Sequence, residues 1–485
     1  MAAPQIGDEI RAAGDFTLSE AKLLTSGGLE LDIKPNIMQL TFHEDVQRNS
    51  VTGEILIQDA AGYVNIGPIM GQEYLKLKIH TPSLRGDIDT IDFTENVFLI
   101  NSVENRIEVG NDVSAYALSF TSSEIVSNQR TRVNKALNGT FADIVKEMFE
   151  ELNCRKKVFI EPTKGIKRII SPNLTPFDVI NLAAHQATSK FDENPTPNYI
   201  FFETLKGYHF RSLSSLYAQP ITHTYDTYIP GTQANLFVPG EGYIRIEREL
   251  AQIIGHEMVG GNDSLFNYTT GVYGSKLISH NIYTKSYKEY VYNYFDNFGR
   301  EKHIASFHEK TSAPLFSETP VQSIDRVSDF PARTYLTSIS AAEKDTNNTT
   351  AYGTEPFDAY DPENSLQERI STLNQLNRGV MINIATHGNT SINVGDNVKV
   401  DIPLTSAVDY GAGFQQESND RFYSGVFLIK KIEHSFDFGE KKHKSILSLV
   451  KDSFGKKLPA SNLIEPKPRS GLNVSSSRDI FYPQI

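Results

Sequence analysis

The sequence predicts an α+β fold that is mostly β: two related antiparallel β-barrel or sandwich domains with a small α+β domain inserted between them. Three observations carry this. The stretch "NVFLINSVENRIEVG" from Asn96 recurs as "GVFLIKKIEHSFDFG" from Gly425, and the ungapped match runs on to Ser119 and Ser448, with eight identities. The 28 Phe and 22 Tyr, without any Trp, suit pleated surfaces where aromatic side chains pack well. Between the two copies lie two amphipathic runs that open with helix-start signals.

The elements follow in chain order. Residues 1–28 are expected to be an N-terminal arm, with Leu23 and Leu24 as apolar docking points, and 29–129 a first β-domain. In its Asn96 strand, side chains that alternate strictly put Val97, Leu99, Val103, Ile107 and Val109 on one face. Val426, Leu428, Ile432, Phe436 and Phe438 are their counterparts, and this face is read as the core. The opposite face starts apolar with Phe98 and Ile100, then carries Glu104 and Glu108; in the second copy Phe427 and Ile429 lead to Glu433 and Asp437. Gly110 and Gly439 mark the hairpin turns, and a β-rich run follows each. Upstream, "MGQEYLKLKIHTPS" from Met70 and "VGDNVKVDIPLTS" from Val394 align once one residue is gapped. Shared alternation is common to all antiparallel domains, but the preserved register favours an internal duplication.

Residues 130–230 form the inserted α+β domain. "GTFADIVKEMFEEL" has Thr140 and Asp143 spaced as a capping box, and "LTPFDVINLAAHQ" repeats the device with Thr175, Pro176 and Asp178. "NYIFFETLKGYHF" then reads as a hairpin turning at Leu205-Lys206-Gly207. Residues 231–455 are a second β-domain, with an exposed polar excursion over 303–362 and one helix over 365–378 stopped by Gly379. The Pro- and Ser-rich residues 456–485 read as a C-terminal arm.

Composition narrows the function. A net charge of −12 argues against tight nucleic-acid binding, which draws its affinity from Lys and Arg displacing counterions. No stretch approaches the apolar length of a membrane span, and the acidic N-terminus lacks the apolar core of a secretory signal. A single cysteine, Cys154, excludes an internal disulfide framework and fits synthesis in a reducing cytoplasm. No catalytic, metal or cofactor motif is complete. "HEMVG" at His256 and "HEDVQ" at His43 lack the second His of a zinc helix, and "GVYGSK" is too short between its glycines for a phosphate loop. Glu147, Glu150 and Glu151 fit a solvated helix face, and Cys154 fits a core position. The run Tyr283, Tyr287, Tyr290, Tyr292 and Tyr294 could be a sugar-binding platform, but fits a half-buried sheet better.

The layout of β-domain, insert with "FADIVKEMFEEL" and "YIFFETLKGYHFRSLSSL", and second β-domain ending in "GVFLIKKIEHSFDFGEKKHKSILSLVKDS" resembles the central baseplate hub proteins of contractile-tailed phages. The same fold forms the base of type VI secretion spike proteins. The resemblance covers roughly residues 30–455. It implies two tail-tube-like barrels per chain, a homotrimer presenting six such units as a ring, and a non-enzymatic virion protein of the tail baseplate. It also implies tail-tube or tube-initiator proteins above, a trimeric spike below, other baseplate proteins around, and DNA passing through a central channel. Glu104, Glu108, Glu433 and Asp437 are then candidates for the channel wall. The rival expectations are a tail-tip enzyme that degrades cell wall with carboxylates near 303–362, and a carbohydrate-binding adhesin using the Tyr283–Tyr294 surface.

Overall fold

The computed structural model describes residues 12–67, 69–81, 89–110, 113–190, 196–227, 246, 248–260, 263–281, 285–309, 311–315, 328–339, 362–363, 365–403, 419–420 and 423–455. The C-terminal arm and most of the 303–362 stretch lie outside these residues.

The chain is mostly β. The first unit is a curled antiparallel sheet of β1 (Thr17–Leu24), β2 (Ile37–Asp45), β3 (Thr52–Asp59), β4 (Tyr74–Thr81), β5 (Asp89–Gly110) and β6 (Val113–Ser122). Its strands lie in the order β1-β4-β5-β6-β3-β2. The concave side closes on Leu40, Phe42, Ile55, Ile57, Leu75, Phe98, Ile100, Leu118 and Phe120, all buried in one cluster. Part of the expected arm is in this sheet: β1 pairs with β4 over its whole length, and Ala21 and Leu23 are buried. Leu18, Ala21 and Leu23 share its buried face across a bulge at Ser19, and Glu30–Asp32 pairs along its outer side.

In the insert, α1 (Phe141–Glu151) and α2 (Pro176–Gln186) both begin with the expected capping boxes. The Asp143 amide donates to Thr140 Oγ1 at 3.2 Å while the Thr140 amide donates to Asp143 Oδ2 at 3.1 Å. Removing the cap with Thr140→Ala should cost about 1 kcal/mol in urea-denaturation midpoint terms, with the denaturant slope unchanged. Ile144, Met148 and Phe149 of α1 pack with Ile180 and Ala183 of α2 against the hairpin β7 (Tyr199–Thr204) and β8 (Gly207–Ser212). That hairpin turns where expected, with Thr204 paired to Gly207. Gly207 has φ 140°, a region open to glycine, and a Cβ there would strike the Lys157 carbonyl.

The second unit is a closed six-stranded barrel. β9 (Ile221–Thr227), β10 (Gln252–Gly260), β14 (Val380–His387), β15 (Asn397–Asp401), β16 (Gly425–Asp437) and β17 (Lys442–Lys451) run in the order β16-β15-β9-β10-β14-β17, and β17 returns to β16. β9 is parallel to both β15 and β10, so this barrel is antiparallel except at the strand that closes it. Parallel neighbours need long crossovers, and both β10 and β15 follow β9 only after long intervening stretches of chain. Beside the barrel lies a small sheet of β11 (Gly274–Asn281), β12 (Ser286–Asn293) and β13 (Arg333–Ile339). The helix α3 (Leu366–Arg378) ends at Gly379 as expected. Thus the 303–362 stretch is not a uniform exposed excursion: His303, Ile304 and Ala305 are buried, and β13 is a sheet strand.

The two units share one design down to the hydrogen-bond ladder. In the first hairpin Leu99 pairs with Thr121, Ile100 with Phe120, Ser102 with Ser119 and Val103 with Leu118. In the second, Leu428 pairs with Val450, Ile429 with Leu449, Lys431 with Ser448 and Ile432 with Leu447, each residue displaced by the same number of positions. Even the bulge recurs, at Asn101 and at Lys430. β3 stands to β6 as β14 stands to β17: Ile55 faces Leu118 and Ile384 faces Leu447. The Ile100 amide donates to the Glu73 carbonyl, and the Ile429 amide to that of Asp396. Gly71 and Gly395, which precede β4 and β15, have φ 89° and 90°.

Those bulges correct the predicted faces. Strict alternation fails at Asn101, so Phe98, Ile100 and Val103 share the inner side of the first sheet. A second irregularity between Glu104 and Ile107, where Asn105 has φ 55°, flips the strand again. Ile107 and Val109, expected in the core, are therefore exposed.

Candidate assembly interface

The two units are joined edge to edge. β2 of the first pairs antiparallel with β16 of the second, from Asp45 opposite Lys431 to Gln39 opposite Asp437. Backbone bonds extend the seam at both ends, from the Val46 amide to the Lys430 carbonyl and from the Phe438 amide to the Met38 carbonyl. Phe436 belongs to the barrel strand by sequence but fills the first core, meeting Phe16 edge-on at 5.1 Å and Phe42 at 6.1 Å. On the opposite side of the sheet Lys431 reaches Asp45 at 3.1 Å, Gln39 Nε2 donates to Ser435 Oγ at 3.2 Å, and Glu433 lies 3.8 Å from the His43 imidazole. The backbone ladder and the buried aromatic packing outweigh the exposed ion pairs, each of which contributes less than about 1 kcal/mol.

The four predicted carboxylates divide. Glu104 and Glu433 occupy equivalent ladder positions on the side away from the cores, opposite Ala117 and Ile446. Asp437 shares that side; its Oδ1 accepts the amides of Gly439 and Glu440 and shapes the second hairpin turn. Glu108 pairs with Ser114, so the irregularity after Glu104 turns it to the side of Val103. Ser102 Oγ donates to Glu104 at 2.8 Å. Gly110 pairs with Val113 at the first hairpin end.

Other charged groups stitch the fold. Lys156 is buried with its Nζ 2.7 Å from both Glu124 and Glu203. Burial opposes its charge, yet the two carboxylates prevail and hold the ammonium above its ordinary pKa. Glu203 also accepts from the Val51 amide at 2.8 Å and the Ser122 hydroxyl at 2.6 Å, tying the insert to the first sheet. Glu44, on β2, is buried near the Leu205 turn and the Val394 loop. Burial pushes its carboxyl up to about 8 against the opposing amides of Val394 and Leu205. His303 Nδ1 meets Asp452 at 2.9 Å and its Nε2 the Phe298 carbonyl at 3.1 Å, so both ring nitrogens serve packing. Sequence spacing signalled none of these three groups, since each joins residues distant along the chain.

The rival surfaces fare differently. Tyr292 and Tyr294 are buried and Tyr287 is exposed, which leaves no continuous tyrosine platform on β12; Tyr283 is outside the described residues. Glu309, at the start of the 303–362 stretch, accepts the Val426 amide at 3.3 Å. The thiol of Cys154 is pushed up to about 11 by burial, next by the Glu124 charge, which disfavours the thiolate. Glu147 and Glu151 share Lys135 on the helix surface. Among the described residues no three His, Cys, Asp or Glu gather as metal ligands, and no helix is long and apolar enough to cross a membrane.

No family model matches the chain, and no curated protein matches it. Solved structures are similar at low identity. A tail protein from Neisseria meningitidis MC58 is 11% identical over 90% of this chain and 97% of its own, with TM-score 0.45. A 43 kDa tail protein of prophage MuSo2 from Shewanella oneidensis is 10% identical over 89% and 98%, with TM-score 0.46. The E. coli c3393 protein, described as a component of the type VI secretion system with structural similarity to T4 bacteriophage tail proteins, is 10% identical over 90% and 76%, with TM-score 0.39. Likenesses of this degree carry no argument about function.

Proposed function

We propose that the chain is the structural hub of a contractile phage tail baseplate, a homotrimer whose three chains present six β-units as a ring. The observation that supports this is the repeated unit itself, two copies in one ladder register joined side by side through one strand pair. A duplicated unit lets a threefold assembly meet a sixfold one: each chain offers two equivalent surfaces to a hexameric tail tube and one whole-chain surface to a trimeric spike. Such a role needs adhesive edges and a channel, and no active site. Glu104, Glu433 and Asp437, which share the side away from the cores, then face the channel, where carboxylates repel the phosphates of passing DNA. The virion baseplate is the proposed location, with tube, spike and other baseplate proteins as partners.

Light scattering of the purified chain should give three times the 54.2 kDa chain mass. A mass of one or two chains at all concentrations would contradict the proposal.

A further inference from the structure

The internal seam leaves one unused copy of each of its two edges. β16 pairs on one side with β17; on the other it pairs first with β15 and then, from Lys431 to Asp437, with β2. Its counterpart β5 pairs with β6 on one side and on the other with β4 only as far as Leu99. The stretch Val103–Val109 has no strand partner on that side among the described residues. Likewise β2 lies between β3 and β16, whereas its counterpart β10 has β14 on one side and touches β9 only at Gln252 and Ile253. The edge Gly255–Gly260 is left without a strand partner among the described residues.

Resting on the hub reading, we propose that these two edges are the seam between chains: β10 of one copy pairs antiparallel with β5 of the next, as β2 pairs with β16 within the chain. The register follows from the ladders. Phe436 pairs with His443 as Glu108 pairs with Ser114, and Leu40 pairs with Ile55 as His256 pairs with Ile384. Because Phe436 lies opposite Leu40, Glu108 comes opposite His256, and by the same steps Ile107 comes opposite Glu257. The partner is a second copy of this chain, for three reasons. The template is an interface already present in the molecule. The juxtaposed Glu108 and His256 are complementary, as Glu433 and His43 are in the internal seam. Both edges expose apolar side chains that the pairing would cover: Ile107 and Val109 are 60% and 59% exposed, Met258 and Val259 40% and 49%. Strand edges left bare invite uncontrolled association, and a head-to-tail pairing that closes on itself removes them all.

The test is a cross-link in the full chain. Ile107→Cys and Glu257→Cys are combined in a Cys154→Ser background and mildly oxidised, with light scattering on the same sample. Cβ atoms directly opposite across antiparallel strands lie about 4.5–5.5 Å apart, close enough for disulfide formation with small adjustment. The expected result is a non-reducing ladder that ends at three chains, while each single-cysteine variant stops at two or fewer. A trimeric mass without that ladder overturns this seam and leaves the hub reading standing. A monomeric mass without cross-links overturns both.

Discussion

Lys156→Met is expected to destabilise the chain by about 3–5 kcal/mol, measured from denaturant midpoints with the slope held constant. The methionine keeps the volume of the side chain but leaves Glu124 and Glu203 facing each other in a buried site with no cation between them. Removing one partner of a buried ionic group costs far more than the group itself contributes, because the remaining charges have lost their water. Adding Glu203→Gln to the Lys156→Met variant should recover part of the loss, since one of the two stranded carboxylates is neutralised. Equal losses in the single and double variants would show that the cation is not what holds these acids in place.

A second large effect depends on pH. Glu44 titrates at about 8 in the folded chain and near 4.5 in the unfolded chain. Its raised value means that the folded state keeps a proton which the unfolded state has released. The stabilisation it gives is complete below about pH 4.5 and is lost as pH rises toward 8, by about 1.4 kcal/mol per pH unit. Other groups titrate over the same range, so the informative quantity is the difference between wild type and Glu44→Gln, whose amide cannot ionise. Between pH 5 and 8 that difference should shift by about 4 kcal/mol in favour of the variant. Parallel stability curves for the two proteins would place the Glu44 carboxyl in water.

What the sequence could disclose was local. Thr140 with Asp143 and Thr175 with Asp178 announce their helices because both halves of a capping box lie within four residues. The twin hairpins were legible because letters and faces recur together as far as Glu104 and Glu433. The bulges at Asn101 and Lys430 were not, since neither position carries the glycine that marks many bulges, and each flips the side chains beyond it. β1 was missed because β4, its partner over its whole length, is far along the chain and its neighbours in sequence read as a tail. β9 escaped for the same reason: closing a barrel through two parallel pairings leaves no local mark. The division of the four candidate acidic residues between two sides of the sheet left no mark in the sequence. The unused edges could only be seen once the internal seam showed what such an edge is for.

A three-dimensional electron microscopy map of the purified chain tests the hub trimer. The expected map is a ring with threefold symmetry in which six β-units alternate around a channel, with Glu104, Glu433 and Asp437 on its wall. A ring of any other chain number, or three chains whose β-units do not form one continuous wall, would contradict it.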